Sequence, residues 1–171
     1  GPQVDFREID FASIPEGQLR RCRIDPRSGT VQSEWLEQRC CEFAMVNPAH
    51  QGLEARFAWM AVAECESGNG PLQAIEKLDL QTGERRLWSA APRGFVTEPV
   101  MVPRPASSGE DSSAKDSPGE DSGWVLVPVW NGARCATDLV ILRADDLAEQ
   151  AVLELPLAIP YGLHGSWAAA T

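Results

Sequence analysis

The sequence has 171 residues, which is enough for one domain and marginal for two. Apolar residues make up 43% of it, so a wholly disordered chain is excluded. The formal charge of −10 argues against nucleic acid or an anionic membrane as a binding partner. No apolar stretch reaches the ~20 residues of a membrane helix, and the first residues lack a signal-peptide pattern. We therefore expect a cytoplasmic protein with at most peripheral membrane contact.

Thirteen prolines and fourteen glycines divide the sequence into short segments rich in Val, Leu, Ile and Trp, the pattern of β-strands. Segment 144–150 is suited to one helical turn at most. The sequence therefore predicts an all-β fold. In chain order, the predicted strands cover 19–24, 30–36, 56–65, 73–80, 84–88, 124–130, 138–143 and 151–155.

Five cysteines occur without Cys-x-x-Cys spacing, which favours buried thiols over a zinc or redox site. We expect the adjacent Cys40 and Cys41 to be strand neighbours, one facing inward and one outward.

A hairpin pattern recurs along the chain. Residues 21–36 and 75–88 each join two strands through an Asp-x-x-Ser/Thr-Gly turn, and residues 139–155 form a degenerate third copy. A repeat of about 55 residues built of short antiparallel strands is typical of β-propeller blades. We predict about three blades in a single partial domain, 1–171. Because propellers close with roughly four to eight blades, either this chain is the C-terminal part of a longer protein or copies of it associate, and we favour the first.

An acidic, Ser/Gly-rich insertion, 107–123, lengthens the interval between the second and third copies. The tetrapeptide Gly109–Ser112 recurs ten residues later as Gly119–Ser122. The low content of large apolar residues predicts a disordered surface loop without a chemical role.

Three ionisable residues share the repeat period. Glu42 and Glu98 are 56 positions apart, and His164 follows Glu98 by 66, or by 56 without the ten-residue duplication. Corresponding positions of successive blades converge on a propeller axis, so these residues could gather at a metal centre, with each carboxylate orienting an imidazole. On composition alone, a hydrogen-bonded core histidine is the preferred interpretation of His164. We expect His50, in a Pro/Gly-rich loop, to be exposed.

Four motifs around these residues resemble those of the carotenoid cleavage oxygenases, a family that includes lignostilbene- and resveratrol-cleaving enzymes. Residues 39–43, followed by 56–59, resemble its R-x-x-E-F-P and R-Y-x-Y stretch. Residues 97–105 resemble G-E-P-x-F-V-P-R-P, residues 120–126 resemble E-D-D-G-W-x-L, and residues 160–167 resemble P-x-G-F-H-G-x-W. The motifs keep their order over about residues 19–167.

The resemblance implies a seven-bladed propeller with one Fe(II) on its axis, held by four histidines. In that family the iron and O₂ cleave a conjugated C=C bond of an apolar polyene or stilbene. By this resemblance His164 is an iron ligand and catalytic residue, and Glu42 and Glu98 are carboxylates that orient ligand imidazoles. Glu98 is the expected partner of His164.

The chain also departs from the family pattern. Ala44 stands where the family has proline, Phe57 and Trp59 replace tyrosines, and Leu163 replaces phenylalanine. The other three family histidines have no counterpart before Glu42, so we expect the chain alone to be inactive without the remainder of the propeller. Two alternatives stay open, a non-catalytic β-propeller-like binding module and a degenerate remnant.

Overall fold

A computed structural model describes residues 10, 13–105, 119–162 and 164–168. Eleven strands occur in the described residues, together with one short 3-10 turn, Pro48–His50. No described helix is long and apolar enough to cross a membrane. The strands are β1 (Leu19–Asp25), β2 (Thr30–Glu37), β3 (Cys41–Met45), β4 (Phe57–Ala63), β5 (Leu72–Asp79), β6 (Arg85–Ser89), β7 (Gly94–Val96), β8 (Val100–Pro103), β9 (Gly123–Asn131), β10 (Ala136–Arg143) and β11 (Glu149–Glu154).

The all-β prediction is confirmed, and each of the eight predicted strands is present with ends shifted by at most a few residues. Strands β3, β7 and β8 were not predicted. They are three to five residues long, which is too short for an alternating pattern to stand out. The suggested helical turn over 144–150 is wrong. Residues 144–148 form the tight turn between β10 and β11, with Leu147 in the left-handed region at φ 62°.

The strands form two sheets and a separate hairpin. Strands β3–β6 pair in chain order as a four-stranded antiparallel sheet, and β11-β10-β9 form a second sheet in which β7 and β8 both pair with β9. Strands β1 and β2 form the hairpin. Each repeat found in the sequence is one strand pair: β1–β2, β5–β6 or β10–β11. The predicted three blades are therefore two complete blades and the outer half of another.

The β3–β6 sheet is packed on both faces. One face meets the β7–β11 sheet through a core centred on Trp59, Ile75 and Val127. The other face meets the hairpin through Met60, Leu78 and their neighbours. Because successive residues of a strand point to opposite faces, β4 and β5 are buried along almost their whole length. This stacking places β3 and the β7–β8 pair side by side as the inner strands.

The structure corrects the predicted orientation of the cysteine pair. Cys40 and Cys41 are both buried, at 4% and 5% exposure. Cys41 packs between the hairpin and the β3–β6 sheet. Cys40 precedes β3, and its thiol donates to Asn69 Oδ1 at 3.3 Å in the β4–β5 loop.

The predicted disordered loop, 107–123, requires a correction at its C-terminal end. Most of it, 107–118, lies outside the described residues, but Glu120 and Asp121 contact the β3–β6 sheet, and Gly123 begins β9. The Glu120 carboxylate accepts the backbone N–H groups of Arg56 and Phe57 at 2.8 to 3.0 Å. Asp121 forms an ion pair with the buried Lys77 at 2.6 Å. The second Gly-Glu-Asp-Ser copy therefore has a structural role, because its carboxylates satisfy donors of another sheet.

Candidate metal centre

The Glu98 carboxylate contacts two consecutive positions of the C-terminal segment. His164 Nδ1 lies 3.4 Å from Glu98 Oε1, and the Gly165 backbone N–H donates to Glu98 Oε2 at 2.5 Å. The Glu98 side chain is 21% exposed, whereas that of His164 is 82% exposed. Within the described residues this imidazole therefore lies at the surface, beside a partly buried carboxylate.

Glu98 lies where the inner strand of its sheet is interrupted. Pairing of β7 with β9 ends at Val96, and β8 resumes the pairing at Val100. Pro99 and Pro128 have no backbone N–H, so the ladder of hydrogen bonds cannot run continuously through this region. Thr97 still donates to Pro128 O at 3.1 Å, which fixes the interruption on the sheet.

The segment after β11 is fastened to the same sheet before it reaches Glu98. Thr137 N donates to Leu157 O at 3.1 Å, and Ile159 N donates to Thr137 Oγ1 at 2.8 Å. Further on, the Tyr161 hydroxyl donates to Val96 O at 2.5 Å. These bonds guide a stretch without regular secondary structure along the sheet and place His164 beside Glu98.

Glu42 occupies a similar interruption in the neighbouring inner strand. Its pairing with Ala61 is followed by a register shift, and Phe43 has a left-handed φ of 59°. Such bulges redirect side chains and are common beside functional sites. The Glu42 carboxylate lies against Gly17, where a methyl group would come within 2.8 Å of Oε1.

The structure brings His164 to Glu98 rather than to Glu42. Within the described residues Glu42 forms no hydrogen bond with His164. The adjacent Phe43 ring does meet the imidazole edge-on, with ring centroids 6.3 Å apart and an interplanar angle of 88°. Both inner strands therefore contact His164, one through a carboxylate and the other through an aromatic ring.

His50 lies in a different environment from the one that the sequence predicts. It ends the 3-10 turn, is half-buried, and has Nδ1 3.7 Å from Glu120 Oε2. Its partner belongs to the β8–β9 connection and not to the Glu98 region.

The donor set fits one ligand of a metal site, but not a complete site. A carboxylate that accepts from Nδ1–H fixes the imidazole tautomer and leaves Nε2 as the nitrogen able to bind a metal. No group of three or more His, Cys, Asp and Glu side chains arranged to hold a metal occurs among the described residues. A single imidazole is too few ligands for tight binding of a divalent cation.

Two cavities flank the site. One of about 610 Å³ has mostly apolar walls and is bordered by Glu42 and Cys40. A smaller one of about 200 Å³ is bordered by Glu98 and His164. Trp130 and Tyr161 line both cavities.

Sequence reasoning assigned neither aromatic residue to a site. The alternation of inward and outward side chains expected along β9 gave no indication that the half-buried Trp130 borders a cavity. Tyr161 lies within the 160–167 motif, and its place beside His164 in that motif was the signal that could have assigned it to the site.

Comparisons with known proteins match almost the whole chain to one family. The RPE65 family model, described as retinal pigment epithelial membrane protein, matches residues 2–169. The chain belongs to this family. Its relatives are named as carotenoid cleavage oxygenases, so the family predicted from the sequence motifs is confirmed.

Individual relatives agree with this assignment. The chain is 42% identical to the apocarotenoid-15,15'-oxygenase of Synechocystis sp., over 98% of the chain and 33% of the relative. It is 36% identical to resveratrol cleavage oxygenase 1 of Aspergillus fumigatus, over 90% of the chain and 27% of the relative. The chain thus spans about a fifth to a third of the length of the curated relatives it matches.

Solved structures of the family have the same fold. Cobalt-substituted Synechocystis ACO superimposes with a TM-score of 0.87 at 42% identity, over 99% of this chain and 34% of that one. An ACO/RPE65 chimera gives a TM-score of 0.87 at 40% identity, with the same coverage. These neighbours are seven-bladed propellers, so the predicted propeller sector is confirmed.

Proposed function

We propose that this chain is a C-terminal part of a non-haem Fe(II)-dependent dioxygenase that cleaves a conjugated C=C bond of a carotenoid, apocarotenoid or stilbene with O₂. The observation that carries the proposal is the Glu98 carboxylate bound to both the His164 ring and the Gly165 N–H. With the proton on Nδ1, this arrangement would orient the imidazole and leave Nε2 free for a metal, as a metal-binding histidine requires. The names of the relatives support the reaction class.

Three residues have distinct roles in this proposal. His164 binds iron through Nε2, and Glu98 orients His164 through Nδ1. Glu42 orients another imidazole, supplied by a part of the propeller outside this chain. When bound, Fe(II) would supply the site at which O₂ reacts with the double bond to give two carbonyl products.

The substrate in this proposal is an apolar polyene or stilbene. The larger cavity supports such a ligand, because its volume of about 610 Å³ is within the range of small-molecule sites and its walls are mostly apolar. It opens beside Glu42, and Trp130 and Tyr161 connect it to the smaller cavity that holds His164. Trp130 and Tyr161 are therefore proposed to lie along the approach to the iron.

We propose that the isolated chain is inactive, since it lacks three of the four histidines that hold the iron in the family. Its partners would be the remainder of the propeller, O₂ and the apolar substrate, in a cytoplasmic protein with at most peripheral membrane contact. The acidic composition supports the absence of nucleic acid from this set.

A domain exchange tests the proposal. The part of the Synechocystis apocarotenoid-15,15'-oxygenase that matches this chain is replaced by this chain, and the hybrid is loaded anaerobically with Fe(II). We expect about one iron per hybrid and cleavage of an apocarotenoid, and both should be lost in His164→Ala. His50→Ala is the matched control and should retain iron and activity.

The isolated chain, loaded in parallel, should retain almost no iron. A folded hybrid that binds iron equally with and without His164 would overturn the proposal. A folded hybrid that never binds iron would instead favour a non-catalytic binding module or a degenerate remnant.

A further inference from the structure

A buried pair of carboxyl groups joins the β1–β2 hairpin to the β3–β6 sheet. Glu37 ends β2 and Glu76 lies in the middle of β5, and their side chains are 9% and 2% exposed. Arg85 Nε lies 2.7 Å from Glu37 Oε2 and 3.6 Å from Glu76 Oε1, so the two carboxyl groups meet at one guanidinium. Two buried carboxyl groups that share a single cation are costly to ionise together, which favours one proton held by the pair.

Of the two carboxyl groups, Glu76 has the weaker set of hydrogen-bond donors and cations to stabilise a negative charge. It lies opposite Met60 of β4, within the apolar contact formed with Leu78 and Cys41. Its Oε1 has no hydrogen-bond partner in the described structure, and the nearest cation is Arg85 Nε at 3.6 Å. An ionised carboxylate in this position would be costly, because little solvation or hydrogen bonding replaces water.

Glu37, in contrast, has partners that favour its charged form. Its Oε1 accepts the backbone N–H groups of Gln38 and Arg39 at 2.7 and 2.6 Å, and its Oε2 accepts Arg85 Nε at 2.7 Å. Burial opposes the charge, but these donors hold the pKa of Glu37 below its ordinary value. The shared proton therefore belongs on Glu76.

We propose that Glu37 and Glu76 form a proton-dependent clasp that holds the β1–β2 hairpin against the β3–β6 sheet and weakens when Glu76 loses its proton. Deprotonation would place two negative charges in an apolar contact beside the half-exposed Arg85. The clasp also fixes the turn that leads into β3, since Glu37 holds Gln38 and Arg39. It thereby connects protonation to the strand that carries Glu42.

The other groups around Glu76 do not titrate near neutral pH. Arg85 faces it from β6 and Arg39 from the turn before β3, and a guanidinium is not a group that loses its proton in proteins. Cys41 faces it from β3, and burial raises the pKa of that thiol to about 12. β4 presents Met60 and β1 presents Leu19, neither of which ionises.

The direction of the pH effect follows from proton binding. Burial and the charge of Glu37 raise the pKa of Glu76 from 4.5 to about 7. The folded state therefore holds more protons than the unfolded chain between these values, so stability falls as pH rises through this window. The lowered pKa of Glu37 acts at lower pH, where stability is lost as the solution becomes more acidic.

Urea unfolding of the chain between pH about 5 and about 8 tests the clasp. The wild-type midpoint should fall as pH rises. In Glu76→Gln it should stay nearly constant, since a neutral amide can donate to Glu37 at every pH. Glu84→Gln, at a side chain that is 65% exposed, is the control and should keep the wild-type slope. Parallel pH dependences of wild type and Glu76→Gln would overturn the proposal.

A second measurement tests the proposal even if Glu76→Gln does not fold. Carbon-13 NMR of the glutamate carboxyl groups in the wild-type chain should contain one resonance that titrates near pH 7. If every glutamate of the folded chain instead titrates near the ordinary pKa of a glutamate side chain, the proposal is overturned.

Discussion

Lys77 and Asp121 form an ion pair of 2.6 Å that connects the two complete sheets of the fold. The Lys77 side chain is 7% exposed, and its ammonium also donates to Asp145 O at 2.7 Å. It lies 4.1 Å from the centroid of the Phe57 ring. One buried cation thus joins β5, the β8–β9 connection and the turn between β10 and β11.

Replacement of this cation should destabilise the protein. We expect Lys77→Met to lower the free energy of unfolding by about 2 kcal/mol, less than for a fully buried pair because Asp121 is partly exposed. Urea denaturation measures the change. Arg86→Met is the matched control, since its pair with Glu84 is exposed and should contribute less than about 1 kcal/mol. Equal effects of the two variants would contradict the connecting role of Lys77.

The two copies of Gly-Glu-Asp-Ser should respond differently to the same substitution. Glu120→Gln weakens the bonds to the N–H groups of Arg56 and Phe57, and we expect a loss of about 1 kcal/mol. Glu110→Gln, at the same place in the first copy, should leave stability unchanged, as the sequence predicts for that loop. Thermal unfolding of both variants measures the difference. A larger effect at Glu110 would show that the roles of the copies are reversed.

The loss of folding stability at acid pH should depend more on Asp79 than on Asp25, although both lie in the same type of turn. Asp79 accepts from the Arg56 guanidinium at 2.7 Å and from two backbone N–H groups, which hold its pKa well below 3.8. The stabilisation is complete above pH 3.8 and is lost as pH falls through the folded-state pKa. Asp79→Asn should therefore be less stable at neutral pH and less acid-dependent.

Asp25 is the matched control, because its partners lie within its own turn. It accepts from Arg27 N and Ser28 Oγ at 2.8 and 2.7 Å, without a guanidinium. Acid titration of unfolding in Asp25→Asn should differ less from wild type than in Asp79→Asn. The reverse order would show that the ion pair with Arg56 contributes little.

The positioning role of Glu98 predicts a graded loss of metal affinity. In the hybrid protein, Glu98→Gln should weaken Fe(II) binding by about 10- to 100-fold, because the imidazole loses its charged acceptor but remains in place. His164→Ala should remove binding altogether. Metal titration separates the two outcomes, and Glu54→Gln, at an exposed glutamate, is the control. Unchanged affinity in Glu98→Gln would limit that residue to holding the backbone at Gly165.

The sequence was sufficient to predict those parts of the fold that repeat a local pattern. The hairpins around Gly29 and Gly83 were recognisable because an aspartate and a glycine stand at fixed places in each turn, and both glycines have left-handed φ values of 68° and 77°. The inner strands were not recognisable in this way. Their pairing is interrupted beside Glu42 and Glu98, so neither alternation nor length identified them.

The candidate site was predictable in its residues but not in its contacts. The common spacing of Glu42, Glu98 and His164 indicated a shared location. The contact of Glu98 with His164 depends on long-range bonds, such as Tyr161 to Val96, that no local pattern encodes. The burial of Glu76 could not be predicted from the sequence either, because an acidic residue in a strand ordinarily faces solvent.

The pairing of Pro103 with Gly123 offers a practical opportunity for labelling the protein. The two ends of the β8–β9 connection are held in register, so its length can change with little effect on the strands, at about 0.6 kcal/mol for each doubling. A reporter peptide spliced into this connection before Gly119 would leave Glu120 and Asp121 in place. The natural duplication of a tetrapeptide at this point indicates that the fold has already accepted such an extension.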